Sequence, residues 1–439
     1  MASDLIAIKR HYIDDQLNVP ESDNTVGNSK ITLTSMWNNI KYGFQNTFRQ
    51  PKFDFKSPIC LLGQLYHIKM SDSVPMTDRQ TSTNYIFEKF KNDFTNLLWM
   101  TYRKDFIPLL SSDITTDCGW GCMIRSGQMI LAQALRIHLF GHRRCDSDIM
   151  IHRMIVTWFI DSPDQSLCPF SIHQFVSLGQ KLGRRPGDWF GPSSVSFLIN
   201  TLENGGHENQ LLKNICCYVA QDCTIYLQDV LDQCQTINEE ENNHNSKEWK
   251  SILILVPTRL GTESYNPIYS STIKDLLSLT CCIGIIGGRP KHSLYFVGFQ
   301  DDKLIYMDPH YSQRTIDIND PQFSLESYHC NKPRKMPIHL IDPSCTVGFF
   351  FRTREDYDDF VEYIEERQQH STSNGNNNSF QHQYHPIFML HRGRNIETTT
   401  GINKKHDSQK DRILRMRYRM VDSHGNVQNI VNGEDFVLL

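Results

Sequence analysis

The sequence predicts an α+β protein, and three observations carry that prediction. Apolar residues Met123, Ile124, Ile130, Leu131, Ala134, Leu135 and Ile137 recur at helical spacing, while Gly119 and Gly121 just upstream would break a helix. A buried helix therefore begins near Cys122. Ser293-Leu-Tyr-Phe-Val-Gly-Phe299 and Lys303-Leu-Ile-Tyr-Met307 are β-prone runs joined by Gln300-Asp-Asp302, which is turn chemistry, so they read as a hairpin. From about Ser57 to Gln368, helix-like and strand-like patterns alternate through dense aliphatic and aromatic sequence.

Taken in order, residues 1–55 are polar, without a sustained period, and read as a flexible arm. Residues 56–368 are the folded domain. Within it, Asn238-Glu-Glu-Glu-Asn-Asn-His-Asn-Ser-Lys247 is hydrophilic throughout and reads as an inserted surface loop. Thr353 to Gln368 opens with acidic residues and spaces Phe360, Tyr363 and Ile364 as a helix does. Ser371-Thr-Ser-Asn-Gly-Asn-Asn-Asn-Ser379 offers too little apolar surface to offset the entropy of ordering, so residues 369–439 read as a low-complexity linker and tail. No solenoid period is visible.

Composition narrows the function. The chain has 439 residues, of which 39% are hydrophobic, enough for a large core without disulfides or metals. A net charge of −4 gives no global attraction to nucleic acid. Thirteen cysteines, an odd and scattered set, point to reduced thiols. The first residues lack the pattern of a secretory signal, and Ser251-Ile-Leu-Ile-Leu-Val256 is far shorter than the roughly 18 residues a membrane span needs, so a soluble cytoplasmic protein is expected.

The sharpest local feature is Thr116-Asp-Cys-Gly-Trp-Gly-Cys-Met-Ile-Arg-Ser-Gly-Gln128. A cysteine in the first helical turn meets the positive end of the helix dipole and free backbone N–H groups, both of which favour thiolate. Cys122 occupies that place; its competing reading is an inert buried thiol. Cys118, four residues earlier, raises the question of a metal pair, but no second ligand pair of finger-like spacing follows. A thiolate nucleophile needs a base with an orienting partner. Met307-Asp-Pro-His310 ends a strand, and residues two apart in an extended chain point the same way. Asp308 can then hold one tautomer of His310 while the ring faces a thiolate from another layer. The alternative is a surface turn at Pro309. A cysteine on a helix and a histidine on a distant strand suit a papain-like architecture, with the helix packed on a sheet.

Gly119-Trp-Gly-Cys-Met-Ile-Arg-Ser-Gly-Gln-Met129, Thr101-Tyr-Arg-Lys104, Gly187-Asp-Trp-Phe-Gly-Pro192, Ile285-Ile-Gly-Gly-Arg-Pro290, Asp308-Pro-His310 and Asp342-Pro-Ser344 with Val347-Gly-Phe-Phe350 closely resemble the autophagy cysteine proteases over roughly residues 57–368. The resemblance implies a papain-like fold with a small inserted subdomain. It also implies cleavage of the ubiquitin-like autophagy modifier after a C-terminal glycine, and release of that modifier from phosphatidylethanolamine. It makes Cys122 the nucleophile, His310 the base and then acid, Asp308 the orienting carboxylate, and Tyr102 a partner of the Cys122 N–H in the oxyanion hole. Without it, Tyr102 reads as a core aromatic on a helix face. Trp189 and Gly288, Arg289 and Pro290 resemble the tryptophan and loop that cover the cleft and part for the modifier's C-terminal arm. Ser126 stands where some relatives carry another cysteine, which leaves redox control at that position without support, and Cys118 is a possible substitute.

The chain ends Asn432-Gly-Glu-Asp-Phe-Val-Leu-Leu439, in which Phe436 and Leu439 resemble the two anchors of a modifier-binding strand. Arg412-Ile-Leu-Arg-Met-Arg-Tyr-Arg-Met420 reads either as a membrane-adsorbing segment or as a tail strand packed on the body. The expected partners are the modifier, as precursor and as lipid conjugate, and transiently the membrane that carries it. No nucleic acid, metal or cofactor is expected, and the resemblance implies a monomer. The rival readings are a non-catalytic modifier-binding adaptor and a zinc-binding regulatory protein.

Overall fold

The apolar run Ser251–Val256 is buried on both faces, and its alternating side chains separate into two cores: Leu253 and Leu255 join one, Ile252, Ile254 and Val256 the other. That two-sided burial is why the run lacks the polar alternation of a half-exposed strand. The computed structural model describes residues 53–54, 57–67, 76–141, 149–204, 209–236, 248–290, 292–373, 384–395, 417–421 and 427–431. The helices are α1 (Met76–Thr95), α2 (Cys122–Phe140), α3 (Ile149–Thr157), α4 (Ile172–Lys181), α5 (Pro192–Asn204), α6 (Leu227–Cys234), α7 (Ser270–Leu277) and α8 (Arg354–Ser373). The first strands are β1 (Ile59–Leu61), β2 (Gln64–Tyr66), β3 (Tyr102–Lys104), β4 (Ile215–Val219), β5 (Thr224–Tyr226), β6 (Gln235–Thr236), β7 (Glu248–Trp249) and β8 (Ser251–Arg259). They are followed by β9 (Cys282–Arg289), β10 (His292–Gln300), β11 (Lys303–Met307), β12 (Ser312–Arg314), β13 (Arg334–Pro337), β14 (Ser344–Phe351), β15 (Met389–His391), β16 (Arg417–Val421) and β17 (Val427–Val431).

A mixed sheet runs β13-β11-β10-β9-β14-β8-β4, with β1 and β2 attached beside β10. Only the β4–β8 pair within it is parallel; the others are antiparallel. The expected hairpin is β10–β11, with Tyr295 opposite Met307 and Gln300 opposite Lys303. Helix α2 crosses one face of the sheet against β9 and β10. It is buried almost throughout, as a helix enclosed between a sheet and other helices must be. On the opposite face, α7, α8 and residues around Phe388 close the second core. The architecture is α+β and papain-like, a central helix laid on a sheet that carries the distant histidine. No disulfide joins the cysteines of the described residues, and among those residues no helix is long and apolar enough to cross a membrane.

The folded body continues beyond residue 368. Helix α8 runs to Ser373, Tyr384 is buried, Ile387 and Phe388 return to the second core, and β15 pairs in parallel with β5. The cause is local: Phe388 meets Phe349 and Phe360 at ring-centroid distances of 5.6 and 6.4 Å, contacts that a compositional boundary drawn at the Asn-rich run does not foresee. β16 and β17 form an antiparallel pair near β8. The expected arm up to residue 52, the loop 238–247, the Asn-rich residues 374–379, Arg412 to Met416, and the anchors Phe436 and Leu439 lie outside the described residues.

Candidate active site

The site lies where the start of α2 meets the sheet. Gly121 caps the helix and Cys122 is its first residue. At that position the Cys122 N–H has no acceptor within the helix, and the dipole favours an anion. The turn before it is held by a buried ion network. Arg125 Nε donates to Asp117 Oδ2 at 2.8 Å, and its Nη1 donates to Asp161 Oδ1 at 2.9 Å. The Arg103 N–H donates to Asp117 Oδ1 at 2.6 Å, tying this turn to β3. Only glycine fits at position 121, because a Cβ there would lie 2.3 Å from Asp117 Oδ2.

Asp308 and His310 follow β11 directly. His310 Nδ1 stands 2.8 Å from Asp308 Oδ1, and the His310 backbone N–H donates to the same oxygen at 3.1 Å. Arg334 on β13 donates to Asp308 Oδ2 at 3.0 Å, and the Trp99 indole donates to the Asp308 carbonyl at 2.8 Å. With Nδ1 occupied by Asp308, His310 presents Nε2 to Cys122, and the two side chains are hydrogen-bonded. Cys122 is 2% exposed, His310 5% and Asp308 8%, so the three interact with little screening by water.

Burial alone would raise the Cys122 thiol, but hydrogen bonding and charge from His310, helped by Ser293, lower it to about 6. Burial likewise opposes a charged His310, while Asp308 and Cys122 raise it to about 9. Burial would push the Asp308 carboxyl up; the hydrogen bond and charge of His310, with the charge of Arg334, hold it well below the usual carboxylate range. The neutral-pH state is therefore a thiolate–imidazolium pair backed by a carboxylate, the arrangement of an activated sulfur nucleophile.

Tyr102 reaches the same point by a different route. It is a strand residue, not the core aromatic on a helix face that the local sequence alone suggests. β3 pairs in parallel with β12, placing Tyr102 opposite Ser312, and the Tyr102 N–H donates to the Pro309 carbonyl at 2.9 Å. Its hydroxyl bonds to the Cys122 side chain, and burial followed by the thiolate charge raises its pKa, so it stays a proton donor. The Tyr102 hydroxyl thus stands at the Cys122 side chain, at the start of α2.

The structure also places the remaining expected residues. Trp189 precedes α5, half-buried against the first core, with its indole Nε1 enclosed and lacking a hydrogen-bond acceptor among the described residues. Gly288 and Arg289 end β9, and Pro290 begins the turn to β10. Gly288 has φ +153°, and a Cβ there would lie 2.1 Å from the His292 carbonyl oxygen, so this hairpin closes only around glycine. Cys118 lies half-buried in the turn before Cys122.

Sequence reasoning missed four neighbours. Ser293 Oγ is 3.3 Å from Cys122 Sγ. His292 stacks on His310, Arg334 holds Asp308, and Trp99 anchors its carbonyl. Only the last has a local signal, an aromatic three residues before Tyr102. Among the described residues, His292, Asp308 and His310 have ligand atoms within 4.8 Å of one another, close enough for a metal ion. Both Asp308 oxygens are already engaged, one by His310 and the other by the Arg334 guanidinium. A cation bound there would face that positive charge.

Comparison with known proteins gives an independent line. Residues 87–363 match the peptidase C54 catalytic domain. The chain is 36% identical over 430 residues to cysteine protease atg4da of Danio rerio, covering 83% of this chain and 81% of that protein. It is 37% identical over 392 residues to cysteine protease ATG4C of Homo sapiens, covering 75% of this chain and 83% of that protein. It is likewise 37% identical over 381 residues to cysteine protease ATG4D of Xenopus laevis, covering 76% of this chain and 77% of that protein.

Proposed function

The chain belongs to the peptidase C54 family of autophagy-related cysteine proteases and is a cysteine-type peptidase, and from that premise we propose that it cleaves a ubiquitin-like autophagy modifier after its C-terminal glycine and releases the same modifier from phosphatidylethanolamine. The observation that carries this reading is the hydrogen-bonded series Asp308, His310, Cys122 at the start of α2.

In this reading the Cys122 thiolate attacks the glycine carbonyl carbon, and the carbonyl oxygen gains its charge between the Cys122 N–H and the Tyr102 hydroxyl. As the tetrahedral adduct collapses, the His310 imidazolium gives its proton to the departing amine, which belongs to the next residue in the precursor and to the ethanolamine headgroup in the lipid conjugate. The acyl group remains on sulfur as a thioester. Neutral His310 then takes a proton from water as it attacks, the modifier leaves with a free carboxylate, and the thiolate–imidazolium pair returns. The residues themselves supply the nucleophile, the proton transfers and the oxyanion donors.

Trp189 with Gly288, Arg289 and Pro290 lines the groove for the modifier's thin arm, and a narrow groove admits glycine where a larger side chain would not fit. The folded domain that opens near residue 56 and runs past residue 368 to β15 carries the chemistry, between the N-terminal arm and the C-terminal tail. Phe436 and Leu439 form a second, tethered contact with the modifier that raises its local concentration. The setting is the cytoplasm, with transient contact at membranes that carry the conjugate.

Two substrates test the proposal: a modifier precursor with residues beyond its glycine, and the modifier conjugated to phosphatidylethanolamine in liposomes. The purified chain trims the first at the glycine and frees the second from the liposomes, and Cys122→Ala does neither. Binding of both substrates without cleavage of either would establish the adaptor reading instead.

A further inference from the structure

His292, the first residue of β10, has no part in the reaction just described, yet it makes the closest ring contact in the site. Its imidazole lies flat on that of His310, with ring centroids 3.6 Å apart and 3° between the planes. Tyr102 meets the same His310 ring edge-on, at 5.4 Å and 85°. His310 is thus fixed by Asp308 at Nδ1, by Tyr102 at an edge and by His292 across a face. The following residue, Ser293, stands against the Cys122 sulfur. Two consecutive residues of one strand therefore touch both members of the ion pair.

The groups around His292 carry charge of both signs. Its direct cross-strand partner on β9 is Arg289, and Arg334 lies behind Asp308 on β13. Asp308 after β11 and Cys122 on α2 are the negative groups, while Tyr102 and Tyr306 stand nearby in protonated form. A neutral imidazole offers an electron-rich face to the His310 imidazolium, an attractive stack. A protonated His292 would set a second cation against the first, with Arg289 alongside, and the stack would become repulsive.

We infer that His292 is a positioning residue: its neutral ring holds the His310 imidazolium in the plane that aims Nε2 at Cys122, and it gives up that role when it takes on a proton. The inference rests on the assignment of Cys122 and His310 as the reacting pair. It predicts an acid limb of activity shaped by two protonations, one on the Cys122 thiolate and one on His292.

The test uses the full chain and measures steady-state cleavage of the precursor against pH for wild type, His292→Ala, His292→Phe and Cys122→Ala, with the thiolate's ultraviolet absorbance as a second readout. His292→Ala lowers kcat about threefold to tenfold, the worth of one aromatic contact, with KM within about twofold. His292→Phe keeps a flat ring without a titrating proton. It recovers most of kcat, and its acid limb is shallower and displaced to lower pH. Wild-type kcat and acid limb in His292→Ala overturn the inference, as does a His292→Phe variant that is as slow as His292→Ala with an unmoved acid limb. Should His292→Ala fail to fold, His292→Phe and His292→Gln decide the matter by the same pH comparison. Cleavage by Cys122→Ala at the wild-type rate overturns the assignment of the pair itself, whatever the His292 variants do.

Discussion

Arg334 and His310 hold the Asp308 carboxylate from opposite sides, the guanidinium 3.0 Å from Oδ2 and the imidazole Nδ1 2.8 Å from Oδ1. The carboxylate is fixed in plane, and its charge raises the proton affinity of His310. Asp308→Asn keeps the shape but removes the charge, and it allows the wrong imidazole tautomer. We expect kcat/KM to fall by about a hundredfold or more and the remaining activity to lose its alkaline limb at lower pH than wild type, as checked by pH–rate profiles.

Wild-type activity itself should be bell-shaped. Cys122, lowered to about 6, is thiolate above that value, and His310, raised to about 9, is imidazolium below that value. The reactive pair dominates between them and is lost in both directions. Initial rates on the precursor across that range check the two limbs, and activity that keeps rising above about 9 would contradict the assignment.

Ser293 helps to hold the thiolate, since its hydrogen bond lowers the Cys122 pKa. Ser293→Ala should therefore raise the thiol's pKa, moving the acid limb to higher pH while leaving the alkaline limb in place. Absorbance titration of the thiolate measures this directly.

Arg125 is 2% exposed and is bridged to two buried carboxylates, Asp117 and Asp161. Arg125→Met leaves both without their cation, a loss of about 3–5 kcal/mol for a buried pair. Denaturant unfolding should show that loss. Activity should fall as well, because the same Asp117 fixes the Gly121 turn from which Cys122 starts.

Removing Phe436 to Leu439 should raise KM for the modifier more than it lowers kcat, since a tethered contact adds binding without touching the reacting atoms. Unchanged KM on the intact modifier would remove the second contact from the account.

The parts of the site legible in the sequence are those whose signals are local. Cys122 follows a glycine break and opens a run of helical period; Asp308 and His310 lie two apart after a β-prone run. Both patterns correspond to observed elements, α2 and the end of β11. Tyr102 was not legible as a strand residue because β3 has three residues and exists only through pairing with Ser312–Arg314, far along the chain. His292 and Ser293 were not legible because their partners, His310 and Cys122, reach them across the β10–β11 hairpin and from α2. Phe388 reads as tail because the Asn-rich run before it dominates composition, whereas it is buried against Phe349 and Phe360.

The central claim is that the Cys122 sulfur is the atom acylated by the modifier's terminal glycine. A modifier whose C-terminus carries a thiol-reactive electrophile in place of the scissile bond tests it most directly, with peptide mapping by mass spectrometry after incubation with the full chain. The account predicts one modifier per chain, attached at Cys122 and abolished by Cys122→Ser. Attachment at Cys118 or another cysteine, undiminished in Cys122→Ser, would contradict it.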